Sequence, residues 1–287
     1  LLPRAKPIHM PKPRYTPAKE EYMTKWARSM LDRGLYEFAG ESKWAFMVHL
    51  AYKEGPPGRE REEFEVRPCG VFPLLNDQTP KMAPNTPLLK ADIEKLADKK
   101  LFIETDGAEF FHQIELHPDS RDFCTLWTPL GKLRPTRIIE GLKNASTVVK
   151  SRMNVALSTM AAEERKAFVN YLDDINGGVG TFDELVSAYR ALLVMCSDNK
   201  ITLKASKTKV GFPTCNAGGF ELGNGVRKLA DKHMAPLLAL QPPTNVSELR
   251  RVLGLFVQLN NMVPHFATTA RPLSRLTGKV PWRWGDL

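Results

Sequence analysis

The stretch Ala167-Phe-Val-Asn-Tyr-Leu-Asp-Asp-Ile-Asn-Gly-Gly-Val179 decides the fold. Apolar runs flank two adjacent acids, which predicts a hairpin over Ala167–Val179 with Asp173 and Asp174 at its turn. Two carboxylates between apolar residues are costly to bury without a cation. On a strand they would point to opposite faces, whereas at a tight turn both can approach one site. A second apolar run, Leu101-Phe-Ile-Glu-Thr105, reads as a buried strand ending at Asp106, so a third carboxylate can meet the pair. Three carboxylates at one point suit two Mg²⁺ ions about 3.5–4 Å apart, with Mn²⁺ as the other candidate, as in nucleotidyl transfer. One ion would activate a primer 3′-hydroxyl, and the other would hold the triphosphate and the leaving pyrophosphate. The alternative is that Asp173 and Asp174 make a plain polar turn.

Outward from this hairpin, the chain alternates irregularly between helix and strand. Thr16 as a cap, Pro17 at the first helical position and Gly34 as a stop predict a helix over Thr16–Asp32, with Tyr22, Trp26, Met30 and Leu31 on its apolar face. Trp44–Tyr52 reads as a strand. A charged loop follows over Lys53–Glu63, turning at Gly55-Pro-Pro-Gly58, and a returning strand over Phe64–Leu75 is interrupted by Pro68 and Pro73. Gln113–Leu116 and Phe123–Trp127 read as further strands, and Asn144–Met160 as a helix. Thr181-Phe-Asp-Glu184 is a capping box that opens a helix to about Cys196. Lys200–Phe212 returns as strand and basic loop. Asn245-Val-Ser-Glu248 caps another helix, on which Leu249, Val252, Leu253, Phe256 and Leu259 follow helical spacing. Ile175-Asn-Gly-Gly178 is a poor strand former. This mixed order favours an α+β fold around an antiparallel sheet.

Composition narrows the function classes. With 287 residues, 43% of them apolar and 25% charged, the chain can bury a sizeable core. No apolar run reaches the 18 residues of a membrane span, so no such span is expected. The localisation expected is intracellular, cytoplasmic or nuclear. Cys69, Cys124, Cys196 and Cys215 form no C-x-x-C pair, which argues against zinc and for a reduced compartment. The absence of an initial Met suggests a fragment or a processed product. Residues 1–19 are basic, Pro-rich and free of acids, an extended arm rather than an amphipathic helix. Residues 200–287 hold 13 Lys and Arg against 4 Asp and Glu, which accounts for the whole net charge of +9. A basic lobe beside a neutral one suggests a polyanion partner, the alternative being a solubilising surface.

The motifs around the acids resemble those of Ty3/gypsy-type reverse transcriptases, from LTR retrotransposons. Asp106-Gly-Ala-Glu-Phe-Phe-His-Gln-Ile114 resembles the family's D-L-x-x-G-Y-H-Q-I, Gly141-Leu-Lys-Asn-Ala145 its G-L-x-N-A, and Tyr171-Leu-Asp-Asp-Ile175 its Y-L-D-D-I. Lys207 sits where the family's lysine follows the palm helix, and Leu222-Gly223 resembles its L-G primer-grip turn. Glu248-Leu-Arg-Arg-Val-Leu-Gly-Leu255 resembles E-L-R-x-F-L-G-L, and Ala270-Arg-Pro-Leu273 resembles A-x-P-L. Upstream, Trp44-Ala resembles P-W-A, and Leu75-Asn76 with Thr79 resembles L-N-x-x-T. Order and spacing hold over roughly residues 20–285.

The resemblance implies a right-hand polymerase fold: a basic arm over 1–19, fingers over 20–100, a palm over 101–225 with a fingers insertion near 115–140, and a thumb with the start of a connection over 226–287. It implies RNA- or DNA-templated DNA synthesis, with Asp106, Asp173 and Asp174 as catalytic metal ligands. Phe111 would be the steric gate against ribonucleotides, where the residue alone reads rather as a core aromatic. Gly141, Lys53, Arg67 and Lys207 would meet the nucleotide, although Lys53 and Arg67 also read as a solvated charge run. Tyr171, Leu222, Gly223, Arg250 and Arg251 would meet the primer-template. The partners implied are an RNA or DNA primer-template, dNTP, and RNase H and integrase portions of a polyprotein; no such signature lies in this chain. Several positions depart from the pattern. D-Y-R-x-L-N becomes Val71-Phe-Pro-Leu-Leu-Asn76, P-F-G-L becomes Ile139-Glu-Gly-Leu142, and N-A-P-x-x-F-Q becomes Asn144-Ala-Ser-Thr-Val-Val-Lys150. Glu140 then stands where an acid would repel a triphosphate. The intact acids point to a polymerase. The altered pocket points to a retroelement-derived protein kept as a nucleic-acid-binding or structural subunit.

Overall fold

The computed structural model describes residues 1–52, 66–83, 94–171, 174–223, 225–257, 263 and 265–278. The chain divides into two compact units, Leu1–Leu229 and Ala230–Leu287. In the first unit the elements run α1 (Pro17–Asp32), β1 (Tyr36–Phe38), β2 (Val48–Tyr52), β3 (Val66–Gly70), α2 (Pro73–Asp77), β4 (Leu101–Asp106), α3 (Pro118–Arg121), β5 (Leu126–Thr128), β6 (Gly131–Pro135) and α4 (Ala145–Ser158). They continue with α5 (Ala162–Arg165), β7 (Phe168–Tyr171), β8 (Asp174–Val179), α6 (Phe182–Asp198) and four strands, β9 (Lys209–Phe212), β10 (Thr214–Ala217), β11 (Phe220–Gly223) and β12 (Val226–Leu229).

The central sheet has the order β7-β8-β4-β9, all neighbours antiparallel. Helices α4 and α6 cover one face, where Ile103, Phe168 and Ile175 share a core with Val149, Met153, Leu185, Leu192 and Met195. Phe102 and Val169 join a separate core with Leu96, Cys215, Ala217 and Leu222. With apolar contacts on both sides, the first half of β4, Leu101–Ile103, reads in sequence as an apolar run rather than an alternation. Helix α6 opens on the expected capping box: Thr181 Oγ1 accepts from Glu184 N–H, and the Glu184 carboxylate accepts from Thr181 N–H.

Strand β8 corrects one expectation. Ile175-Asn-Gly-Gly178, a poor strand former in sequence, is a regular strand that runs between β7 and β4. The glycines are there because their neighbours need the space. A Cβ at Gly177 would lie 2.7 Å from the ring of its cross-strand partner Phe168, and one at Gly178 would lie 2.9 Å from the Lys99 side chain. Tertiary contact overrides the poor propensity.

Outside the central sheet, a second core is built on Met23, Ala27, Phe46, Phe72, Leu126 and Leu133. Sheet β1-β6-β5 backs it, and β2 pairs with β3. The strand expected over Trp44–Tyr52 is regular only from Val48, because Ala45 and Phe46 make isolated bridges to His9 and Leu126 instead. The returning strand expected over Phe64–Leu75 is described from Val66 and ends at Gly70. Pro73 then starts α2, since its fixed φ suits a first helical turn. Gln113–Leu116 is not a strand: Phe110–Gln113 is a 3₁₀ turn, and only Glu115 bridges, to Arg137. The Gln113 side chain reaches back to the Ala108 and Thr202 carbonyl oxygens and accepts from Thr202 N–H, which turns the chain there. Phe123–Trp127 likewise splits into a 3₁₀ turn and the short β5. The charged loop over Lys53–Glu63 lies outside the described residues.

The second unit carries α7 (Asp231–Leu238), α8 (Val246–Val257) and α9 (Phe266–Arg275). Asn245 Oδ1 accepts from Glu248 N–H, while the Glu248 carboxylate takes Thr244 N–H and Oγ1–H. That is a box shifted by one residue. Arg250 reaches the Thr277 carbonyl oxygen at 2.8 Å.

Candidate active site

Strands β4 and β8 bring two acids together by register. Asp106 and Asp174 are Cα partners at the same end of the pair, and directly opposed residues of an antiparallel pair point to the same face. Tyr171, the last residue of β7, is the partner of Asp174 on the other side. Asp173 lies outside the described residues. Among those described, no group of three or more His, Cys, Asp or Glu is placed to hold a metal. Asp106 is 14% exposed and pairs with the Lys207 ammonium. A cation therefore already sits against this carboxylate, and an all-oxygen donor set suits a hard ion such as Mg²⁺.

Asp106 opens into a cleft of about 440 Å³. Its walls come from four distant stretches: Arg67–Gly70 on β3, Asp106–His112 after β4, Ile139-Glu140, and Lys204 with Lys207. Tyr22, Trp26 and Tyr36 complete the rim. Of the residues read from the sequence, Asp106, Phe111, Arg67 and Lys207 share this cleft. Phe111 is partly buried against the core under the central sheet and also lines the cleft. Gly141 adjoins it with φ +93°, a conformation that L side chains rarely adopt, and a Cβ there would approach the Gly70 carbonyl oxygen to 3.2 Å. Glu140 lines the same cleft. Burial chiefly, and then the charge of Glu140, push the Cys69 thiol up, with a smaller opposing effect of Arg67, so these three groups are electrostatic neighbours.

Other expected residues lie elsewhere. Leu222 is fully buried in the core with Phe102 and Cys215, and Gly223 ends β11 opposite Val226. Arg250 and Arg251 belong to the second unit, on α8. Lys53 lies outside the described residues.

The sequence reading missed several groups. Lys204 lines the cleft, and its N–H donates to the Asp106 carbonyl oxygen at 2.7 Å. Glu109 takes a left-handed φ of 45° and bonds Arg33 at 2.6 Å and His112 at 3.2 Å, which holds its carboxyl below the usual carboxylate range. Phe110 and Gly107 exchange size relative to the D-L-x-x-G pattern. A Cβ on Gly107 would meet the Phe110 ring at 2.9 Å, so the ring fills the space that a larger residue at 107 would need. The size inversion, small at 107 and large at 110, is the one sequence signal that pointed there.

Residues 65–249 match the family model described as Reverse transcriptase (RNA-dependent DNA polymerase). The chain is 24% identical over 283 residues to the Enzymatic polyprotein of cauliflower mosaic virus (strain Strasbourg), covering 98% of this chain and 40% of that one. It is 27% identical over 233 residues to the Retrovirus-related Pol polyprotein from transposon opus of Drosophila melanogaster, covering 80% of this chain and 22% of that one. The chain thus spans well under half the length of these relatives. Its fold is that of the foamy viral protease-reverse transcriptase dRH solved in complex with ds DNA, with a TM-score of 0.78 at 16% identity, over 99% of this chain and 50% of that one. With an α+β palm of the right-hand polymerase type and a matching segment of well over half its length, the chain belongs to the reverse transcriptase (RNA-dependent DNA polymerase) family.

Proposed function

We propose that this chain itself extends a primer along an RNA or DNA template, as the polymerase portion of a Ty3/gypsy-type retroelement polyprotein. The observation that carries the reading is the in-register pair Asp106 and Asp174, of which Asp106 lines a cleft whose walls also present Arg67, Lys204 and Lys207. Asp106 and Asp174, with Asp173 between the strands, would hold Mg²⁺ or Mn²⁺. Bound divalent ions would supply charge neutralisation on the triphosphate and a lowered pKa at the primer 3′-hydroxyl. Phe111 would lie under the sugar, where a 2′-hydroxyl would clash with it. Arg67, Lys207 and Lys53 would hold the phosphates, and Gly141 would let the backbone approach the nucleotide. Tyr171, Gly223, Arg250 and Arg251 would meet the primer-template, with the buried Leu222 supporting the Gly223 turn from the core. RNase H and integrase portions would belong to the same polyprotein, and the protein would act within the cytoplasm or nucleus.

Glu140 favours a second reading, a catalytically weak nucleic-acid-binding subunit, because it adds negative charge to the wall that would face the triphosphate. Primer extension on a homopolymer RNA template with Mg²⁺ and with Mn²⁺ separates the two. Incorporation with either ion is expected. Primer-template binding without incorporation under both conditions would move the assignment to the subunit.

A further inference from the structure

The N-terminal arm is docked, and its docking sorts its side chains. His9 bridges Ala45 in parallel, Met10 N–H donates to the Ala45 carbonyl oxygen at 2.8 Å, and Ala45 N–H donates to Ile8 at 2.9 Å. Leu2 N–H donates to the Gln78 carbonyl oxygen, and Gln78 Nε2 donates to the Lys6 carbonyl oxygen. The arm thus closes an edge of the fingers region through main-chain bonds, which cover a row of otherwise unpaired backbone groups. Ile8, Met10 and Tyr15 turn inward and pack on the second core. Arg4, Lys6, Lys12 and Arg14 turn outward and are exposed. Among the described residues none of these four cations has a carboxylate partner, and residues 1–19 contain no acid.

Aromatic groups lie beside this ridge. The exposed His9 ring stands edge-on to Trp127 at 5.6 Å, and Lys132 sits over the same indole at 5.7 Å. The indole N–H is tied to the Met10 carbonyl oxygen at 2.8 Å. Cations along an extended backbone, interleaved with rings that can stack, fit a single nucleic-acid strand better than an acidic peptide, which offers charge but no bases. The arm also runs directly into α1, whose Tyr22 and Trp26 line the cleft.

We propose that Arg4, Lys6, Lys12 and Arg14, with His9 and Trp127, form a binding strip for single-stranded nucleic acid, the unpaired template ahead of the cleft. The strip rests on the reading of the chain as a template-copying polymerase. Main-chain docking already orders the arm that carries the cations, so less conformational entropy is lost on binding than for a free tail.

The test compares wild type with a variant carrying Arg4→Gln, Lys6→Gln, Lys12→Gln and Arg14→Gln. One probe is a primer-template with a long unpaired 5′ template extension, and the other is the same duplex with one unpaired template nucleotide. Affinity is measured by fluorescence anisotropy across a salt series. The variant is expected to bind the long extension about tenfold more weakly, and the slope of log affinity against log salt should fall by about 0.7 per lost phosphate contact. The short extension should be bound as before. The charge-conserving variant, with Arg4→Lys, Lys6→Arg, Lys12→Arg and Arg14→Lys, should keep wild-type affinity, which excludes a folding defect of the arm. Unchanged affinity for the long extension would overturn the strip, and so would equal weakening on both probes. Single-nucleotide incorporation on the short probe reports separately on the polymerase. If it persists in the variant while long-extension affinity is unchanged, the strip fails and the polymerase stands. If wild type incorporates nothing yet prefers the long extension and the variant loses that preference, the polymerase fails and the strip stands.

Discussion

The Asn76 side-chain amide donates to the Gly141 carbonyl oxygen at 2.9 Å across 65 residues of sequence. Its oxygen accepts from Lys143 N–H at 2.8 Å, and Lys143 Nζ returns to the Asn76 and Thr79 carbonyl oxygens. Asn144 continues the clamp by donating to Pro80 and accepting from Met82 N–H. Two motifs that sequence presents as separate, Leu75-Asn76 with Thr79 and Gly141–Ala145, are one hydrogen-bonded unit that backs the wall carrying Glu140.

Replacement of Asn76 should therefore loosen that wall. Asn76→Ala removes two bonds and is expected to cost about 1 kcal/mol in urea unfolding. It should also raise KM for dNTP more than it lowers kcat. Asn76→Asp keeps the acceptor for Lys143 N–H and loses only the bond to Gly141, so its effect on both readouts should be intermediate. Wild-type KM in both variants would show that the clamp is structural alone.

Asp106→Asn is expected to abolish extension while primer-template binding stays nearly intact. The neutral amide loses the pairing with Lys207 and the metal-binding charge, but it leaves β4 and the surfaces that would meet nucleic acid in place. Asp173→Asn should behave alike. Extension within a few-fold of wild type in either variant would remove them from the catalytic set.

Phe111→Ala should admit ribonucleotides. The ring both lines the cleft and packs on the core under the central sheet, so some stability is also lost. The measurement is the ratio of kcat/KM for dNTP to that for the matching rNTP. An unchanged ratio together with a lowered unfolding midpoint would identify Phe111 as a core residue and not a gate.

Glu140→Gln is expected to lower KM for dNTP with kcat little changed, because removal of a like charge near the phosphates alters ground-state binding. A screened repulsion of about 1 kcal/mol corresponds to roughly a fivefold fall in KM. Steady-state dNTP titration reads the change, and an unchanged KM would mean that Glu140 does not face the bound triphosphate.

Gly177→Ala tests the central sheet. The added methyl would lie 2.7 Å from the buried Phe168 ring, so one of the two must move. Overpacking of this kind costs about 1–3 kcal/mol. Urea unfolding of Gly177→Ala should show that loss, and combination with Phe168→Leu, which shortens the opposing side chain, should recover part of it. A Gly177→Ala variant as stable as wild type would show that the sheet opens freely there.

Sequence alone determined what is local or periodic. The capping box at Thr181, the buried run Leu101–Ile103 and the hairpin arms around Tyr171 and Asp174 each follow from a few adjacent residues, because caps, turns and strand periods are short-range properties. The ordered motifs then carried the fold class, an α+β right-hand polymerase, since their spacing reflects one fixed topology. Tertiary structure decided the rest. Only packing gathers Arg67, Asp106, Glu140 and Lys204 around one cleft, and only packing turns Gly177 from a strand breaker into the partner of Phe168. The arm over residues 1–19 reads as an extended arm without a core of its own in sequence because its inward residues, Ile8, Met10 and Tyr15, have no counterpart within the arm itself. Their partners lie in the distant second core, and contacts between distant segments leave no local period to read.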